Sequence, residues 1–255
     1  MMSGNKLNIE MSAFLKAETN LKDAMDYKNK GKYESALTSI DDALRIFPAY
    51  IDAWLMKGII LTKQGQCLEA IKCYDKTLEL NPNLAVAFQL KGATLTMENS
   101  FEKATECYVK AAKLEPNNID LLLSLAASYH RQKKFSEALD CYQEVLKHDT
   151  ENSQIYYSAG IMLGNMSEYD RALTFFETAL KLKPDFDDAL LAKGLMLAKL
   201  GRKEEAKQCA NTLLQTKNEQ TNHQTSEPRS LSDACKQDYE AAKQKFRQSY
   251  APPSG

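Results

Sequence analysis

Residues 69–83 read EAIKCYDKTLELNPN, and what this stretch means is decided by what stands 34 residues to either side of it. Its Pro82 lies 34 residues after Pro48 and 34 before Pro116, and Pro184 follows after twice that interval. Thr150 occupies the intervening slot and Asn218 the last one. With the proline as position 32, the chain divides into six repeats: 17–50, 51–84, 85–118, 119–152, 153–186 and 187–220. Four further columns check the frame. Position 8 is small throughout (Ala24, Gly58, Gly92, Ala126, Gly160, Gly194), as is position 20 (Ala36, Ala70, Ala104, Ala138, Ala172, Ala206). Position 11 is always large (Tyr27, Leu61, Leu95, Tyr129, Leu163, Leu197), and position 24 is large in all but the last repeat (Ile40, Tyr74, Tyr108, Tyr142, Phe176, then Ala210).

Within each repeat a turn is expected at position 15, at Gly31, Gly65, Asn99, Lys133, Ser167 and Gly201. It separates two helices of about a dozen residues, a length that needs tertiary packing to be stable in water. Small residues at positions 8 and 20 let antiparallel helices approach, and the large ones at 11 and 24 fill the space beside them. Proline at 32 stops the second helix, because it has no amide hydrogen and disfavours helical backbone at the residue before it. The composition agrees with an all-α chain: only 10 Gly and 7 Pro occur in 255 residues.

These columns resemble the tetratricopeptide repeat, a helix-turn-helix motif of this period. Repeat two carries the resemblance best, with Trp54, Gly58, Leu61, Ala70, Tyr74 and Pro82 at the signature positions. The resemblance covers about residues 17–220 and implies a right-handed superhelical α-solenoid. It also implies a use: the first helices would line a concave side, with positions 2, 5, 9 and 12 facing a ligand. Mapped here, position 5 gives Leu21, Leu55, Gln89, Leu123, Tyr157 and Leu191, and position 9 gives Met25, Ile59, Ala93, Ala127, Ile161 and Leu195. The rim at position 2 is mainly acidic (Glu18, Asp52, Asp120, Asp188), which favours a basic flank on the ligand. Chaperone-binding relatives clamp a terminal carboxylate with Lys, Asn and Arg, whereas the matching positions here are Leu21, Met25, Met56, Val86 and Leu90. That clamp is absent, and an apolar or amphipathic protein segment, helical or extended, is the expected ligand.

Outside the array, residues 1–16 form an N-terminal segment, and residues 216–230 lack any aliphatic or aromatic side chain and read as a polar linker. Beyond it, Leu231, Cys235, Tyr239, Ala242, Phe246 and Tyr250 fall on one helical stripe, so 231–250 reads as an amphipathic C-terminal helix. Such a helix would cap the array, dock in the groove or mediate self-association.

Chemistry has few candidates. Cys73, Cys107, Cys141 and Cys209 share position 23, but a line of equivalent helices about 8–10 Å apart brings sulfurs neither to disulfide distance nor to a common metal. Cys67 and Cys235 lie outside this line and read as the more reactive thiols, and the lysines at position 7 (Lys57, Lys91, Lys193) as snorkelling side chains. No phosphate loop or nucleophile motif occurs, so neither an enzyme nor a cofactor is expected. Lys plus Arg number 33 against 34 Asp plus Glu, a balance that argues against nucleic acid as partner. With no apolar run of about 18 residues and no signal sequence, a cytoplasmic protein is expected. The reading is a non-enzymatic scaffold or adaptor. A chaperone-like protein shielding an apolar client segment, or the repeat portion of a larger enzyme assembly, are the alternatives.

Overall fold

The computed structural model describes the backbone of residues 2–222 and the side chains of residues 11–215. The described residues form twelve helices and no strand: α1 (Met2–Asn29), α2 (Tyr33–Ile46), α3 (Ile51–Lys63), α4 (Cys67–Leu80), α5 (Ala85–Met97), α6 (Phe101–Leu114), α7 (Ile119–Arg131), α8 (Phe135–His148), α9 (Ser153–Asn165), α10 (Tyr169–Leu182), α11 (Asp187–Lys199) and α12 (Lys203–Asn222). Odd-numbered helices are the first helices of the repeats and even-numbered ones the second. The described residues fall into two compact units, one up to Thr150 with α1 to α8 and one from Glu151 with α9 to α12.

Every intra-repeat turn is built the same way. Position 15 takes a left-handed backbone in all six repeats, at Gly31, Gly65 and Gly201 (φ 72°, 75° and 76°) and also at Asn99, Lys133 and Ser167 (φ 56°, 59° and 63°). The next amide then reaches back to the carbonyl at position 11, as Gln66 does to Leu61 at 2.9 Å and Ser100 to Leu95 at 2.9 Å. This pattern satisfies carbonyls that the helix end would otherwise strand. The same residue opens the second helix, since Gln66 accepts from the Ala70 amide at 3.0 Å and Ser100 from Ala104 at 3.0 Å.

The small residue at position 8 has a specific cause. In repeat two, a Cβ added at Gly58 would lie 2.5 Å from the Tyr74 ring; at Gly92 it would lie 3.0 Å from the Tyr108 ring, and at Gly160 2.7 Å from Phe176. The aromatic ring at position 24 therefore lies across the glycine of its own repeat, and it is this ring, more than the backbones, that needs the room. Tyr74 is fully buried. Its hydroxyl meets Thr62 Oγ1 at 3.1 Å, and Thr62 meets the buried Thr94 Oγ1 of the next repeat at 3.0 Å, so the polar tip has a partner where water is excluded.

The lysines at position 7 do more than snorkel. Lys57 Nζ lies 2.6 Å from Asp41, Lys91 Nζ 2.5 Å from Asp75 and Lys193 Nζ 2.9 Å from Glu177. Each pair ties a first helix to the second helix of the preceding repeat across the same 16-residue separation. At the equivalent place before repeat four the pair is Val109 and Leu125, which pack in one apolar cluster.

Two sequence-derived boundaries are corrected. Residues 2–16 are not a separate segment but the first part of α1, which runs unbroken to Asn29. Residues 216–222 of the expected linker continue α12, because Lys, Gln and Glu are good helix formers and no Gly or Pro interrupts 203–222. The expected amphipathic helix at 231–250 lies outside the described residues.

Candidate functional site

A surface that could hold a ligand is laid down by the outward stripe of the first helices. On α3 it comprises Asp52, Leu55, Ile59 and Lys63, at steps of three and four that keep them on one face. On α5 the stripe is Val86, Gln89, Ala93 and Met97, and on α7 it is Asp120, Leu123, Ala127 and Arg131. Helix α5 makes contact with both α3 and α7, so the three stripes lie side by side.

Of the expected ligand-facing residues in the N-terminal unit, Ala93 and Ala127 are exposed, and Met25 is 46% exposed. Leu55, Ile59, Gln89 and Leu123 are half-buried, presenting part of each side chain outward. Leu55 and Ile59 also pack against the cluster of Leu61, Ala70, Cys73 and Tyr74, so they serve the core as well as the surface. Leu21 does not belong to the face. It is 6% exposed and packs with Ala24, Ala36, Ile40, Leu44, Ala53 and Ile60. With Asn20 at position 4, where the following repeats carry Trp54 and Phe88, Leu21 fills core space that a larger neighbour fills elsewhere.

In the unit 151–255, Tyr157, Ile161, Leu191 and Leu195 are all half-buried on α9 and α11, which touch each other. Tyr157 is held between Phe176 and Phe186, with ring centroids 6.0 and 5.1 Å away. Two residues carry more exposed apolar surface than most of those expected: Val86 at 40% and Met97 at 58%. Met97 was missed because it stands at position 13, one residue past the family's ligand-facing set. Its spacing of four from Ala93 is the signal that finds it.

Charge on this face has a polarity. Asp52 and Asp120 stand in the first turns of α3 and α7, and Glu18 at the equivalent repeat position within α1, while the last turns of these helices bring Lys28, Lys63 and Arg131. Burial, then Asp52, then Glu18 raise the Tyr50 phenol above its ordinary value, so both carboxylates act on the same ring. Among the described residues none of these six charges is in an ion pair. Arg131 rests over the Phe101 ring at 5.9 Å. Among the described residues, the ion pairs that do form each involve a second helix or the residue that opens it.

The described cysteines face inward. Cys73, Cys107 and Cys141 are buried and Cys209 is half-buried. Burial pushes the thiols of Cys73 and Cys141 up to about 11, which keeps them protonated at neutral pH. Cys67 corrects its sequence reading: it is the first residue of α4 and only 6% exposed, with its thiol also raised by burial. Cys235 lies outside the described residues. His130 is half-buried against Phe135, and desolvation followed by the charge of Arg131 lowers its pKa. No helix among the described residues is long and apolar enough to cross a membrane.

Two family models match the chain. One is the C-terminal ARM domain of tetratricopeptide repeat protein 21, over residues 16–159, and the other the middle TPR-like domain of cilia and flagella-associated protein 70, over residues 122–241. No curated protein sequence matches. Among solved structures, a tetratricopeptide repeat protein from Parabacteroides merdae is similar at 17% identity and a TM-score of 0.66, covering 94% of this chain and 95% of that one. MamA is similar at 19% identity and a TM-score of 0.62, covering 66% and 92% of the two chains. YrrB, described as a TPR protein with an unusual peptide-binding site, is similar at 20% identity and a TM-score of 0.62, covering 69% and 91%.

Proposed function

The chain belongs to the tetratricopeptide-repeat family, and from that premise we propose that it is a non-catalytic adaptor whose first-helix face takes up an apolar or amphipathic segment of another protein. The observation that carries this reading is the contrast on the N-terminal unit between packed and presented apolar residues. Its core positions are closed, whereas Met25 on α1, Val86, Ala93 and Met97 on α5 and Ala127 on α7 stand exposed on first helices. An apolar surface distributed over several rigid helices suits the capture of a segment that brings its own Leu, Ile or Met side chains. Methionine adapts its shape to such a ligand. The peptide-binding site attributed to YrrB is consistent with this use of the fold.

Site-specific photo-crosslinking in cells tests it. A benzophenone side chain at Ala93 or Ala127 should trap a partner, and one at Leu68, which is 69% exposed on second helix α4, should not. Trapping from Leu68 alone would overturn the assignment of the binding face.

A further inference from the structure

We infer that the segment taken up by the N-terminal unit is an amphipathic helix with unlike flanks: basic residues along the edge over the first turns of the first helices, acidic residues along the opposite edge. This rests on the face proposed above and names the chemistry of its occupant. The face is mainly apolar in the middle, at Leu55, Ile59, Ala93, Leu123 and Ala127 with Gln89 the polar exception on α5, and carries opposite charge at its two edges. Asp52 and Asp120 mark one edge, and Lys63 and Arg131 the other; all four are exposed and none has an ion-pair partner among the described residues. Both edges are interrupted on α5, where Val86 and Met97 replace charge with exposed apolar surface.

An extended segment cannot match this arrangement, because its side chains alternate between only two directions, one into the face and one into solvent. A helix lying across α3, α5 and α7 has an apolar stripe and two separate flanks. Neighbouring packed helices are about 8–10 Å apart, so Asp52 and Asp120 are separated by roughly 20 Å. That distance is about 13 residues of helix at 1.5 Å each. Each flank of the occupant should therefore hold charge near its two ends and an apolar residue between them. Since exchanging left and right flanks amounts to turning a helix end for end, the two edges also fix the direction in which it lies.

The probes are three synthetic helices of ~20 residues sharing one Leu/Ile stripe: one with Lys on one flank and Glu on the other, one with Lys on both, one with Glu on both. Fluorescence anisotropy with the full chain should find the mixed helix about tenfold tighter than either uniform one at low salt, a preference that shrinks as salt screens the edges. In Asp52→Lys/Asp120→Lys both edges are basic, and the all-Glu helix should become the tightest. In Lys63→Glu/Arg131→Glu both are acidic, and the all-Lys helix should lead. Either exchange suffices should the other variant lose its circular dichroism. If the three helices bind wild type equally, the edges are inert and this inference falls while the apolar face stands. If the rank order is the same in wild type and both variants, the inference also falls. If no helix binds, the face itself is wrong.

Discussion

Asp41 and Asp75, on second helices, each hold a lysine within 2.6 Å, whereas Asp52 and Asp120, on first helices of the same unit, hold none. Between the two helix layers of this unit, Asp41 and Asp75 on second helices settle their charge against the next repeat, whereas Asp52 and Asp120 on first helices present theirs. Charges paired across repeats fix which helix lies beside which. Those without internal partners contribute little to the fold and remain available to whatever docks there. On the face proposed to bind, substitutions of exposed residues should therefore separate recognition from stability.

The largest effect is expected where the layers meet. Gly58→Ala puts a methyl 2.5 Å from the Tyr74 ring, which is fully buried and tethered through its hydroxyl to Thr62. Overpacking of this kind costs about 1–3 kcal/mol, read as a lowered urea midpoint. Gly194→Ala is the control: its new methyl would stand 3.3 Å from Cys209 Cβ, with no ring across it, and the gain in helix propensity of up to about 1 kcal/mol should offset the contact. Next, Lys133→Gly should raise stability by roughly 1 kcal/mol, because the left-handed backbone at this turn (φ 59°) disfavours a side chain. Smaller still, Asp75→Asn removes the partner of Lys91 and should cost about 0.2–1 kcal/mol, with the difference shrinking in high salt. On the presented layer, Ala93→Glu should leave the unfolding free energy from urea melts within about 0.5 kcal/mol of wild type and abolish partner crosslinking. A large loss of stability from Ala93→Glu would break the division between layers.

The smallest effect concerns pH. His130 has a folded-state pKa below its ordinary value, so the folded chain binds fewer protons there than the unfolded one. Its contribution is present above the unfolded value, about 6.5, and is lost as pH falls through the lower folded value. His130→Gln should flatten the stability of the chain between neutral and mildly acidic pH, as followed by thermal melts.

The repeating fold was legible because its causes are local and recur: a left-handed turn at position 15, a small residue at position 8 and a bulky one at 24. The partnership between those last two columns was not read, although Gly58 with Tyr74 and Gly160 with Phe176 already paired the smallest residue with a ring. The lysines at position 7 were legible in the same way. Lysine follows Asp41, Asp75 and Glu177 by 16 residues, and leucine follows Val109 by the same step, a correspondence between neighbouring repeats that a reading of single columns misses. The candidate face was only partly visible, since a heptad-like stripe fixes a direction but not how far the next helix covers it. That is why Leu21, in the same column as Leu55, turned out to be core, and why Met97 escaped notice.

The matched residues between successive repeats also constrain how such an array can be shortened by recombination. Excising residues 51–84 would bring Lys91 to Asp41, a neighbour equivalent to the one it has now. Excising residues 85–118 would instead set Leu125 against Asp75, an aliphatic group beside a carboxylate that has lost its counter-ion. Repeats that look interchangeable in outline are thus keyed to their predecessors, and a lineage can drop the second far more readily than the third.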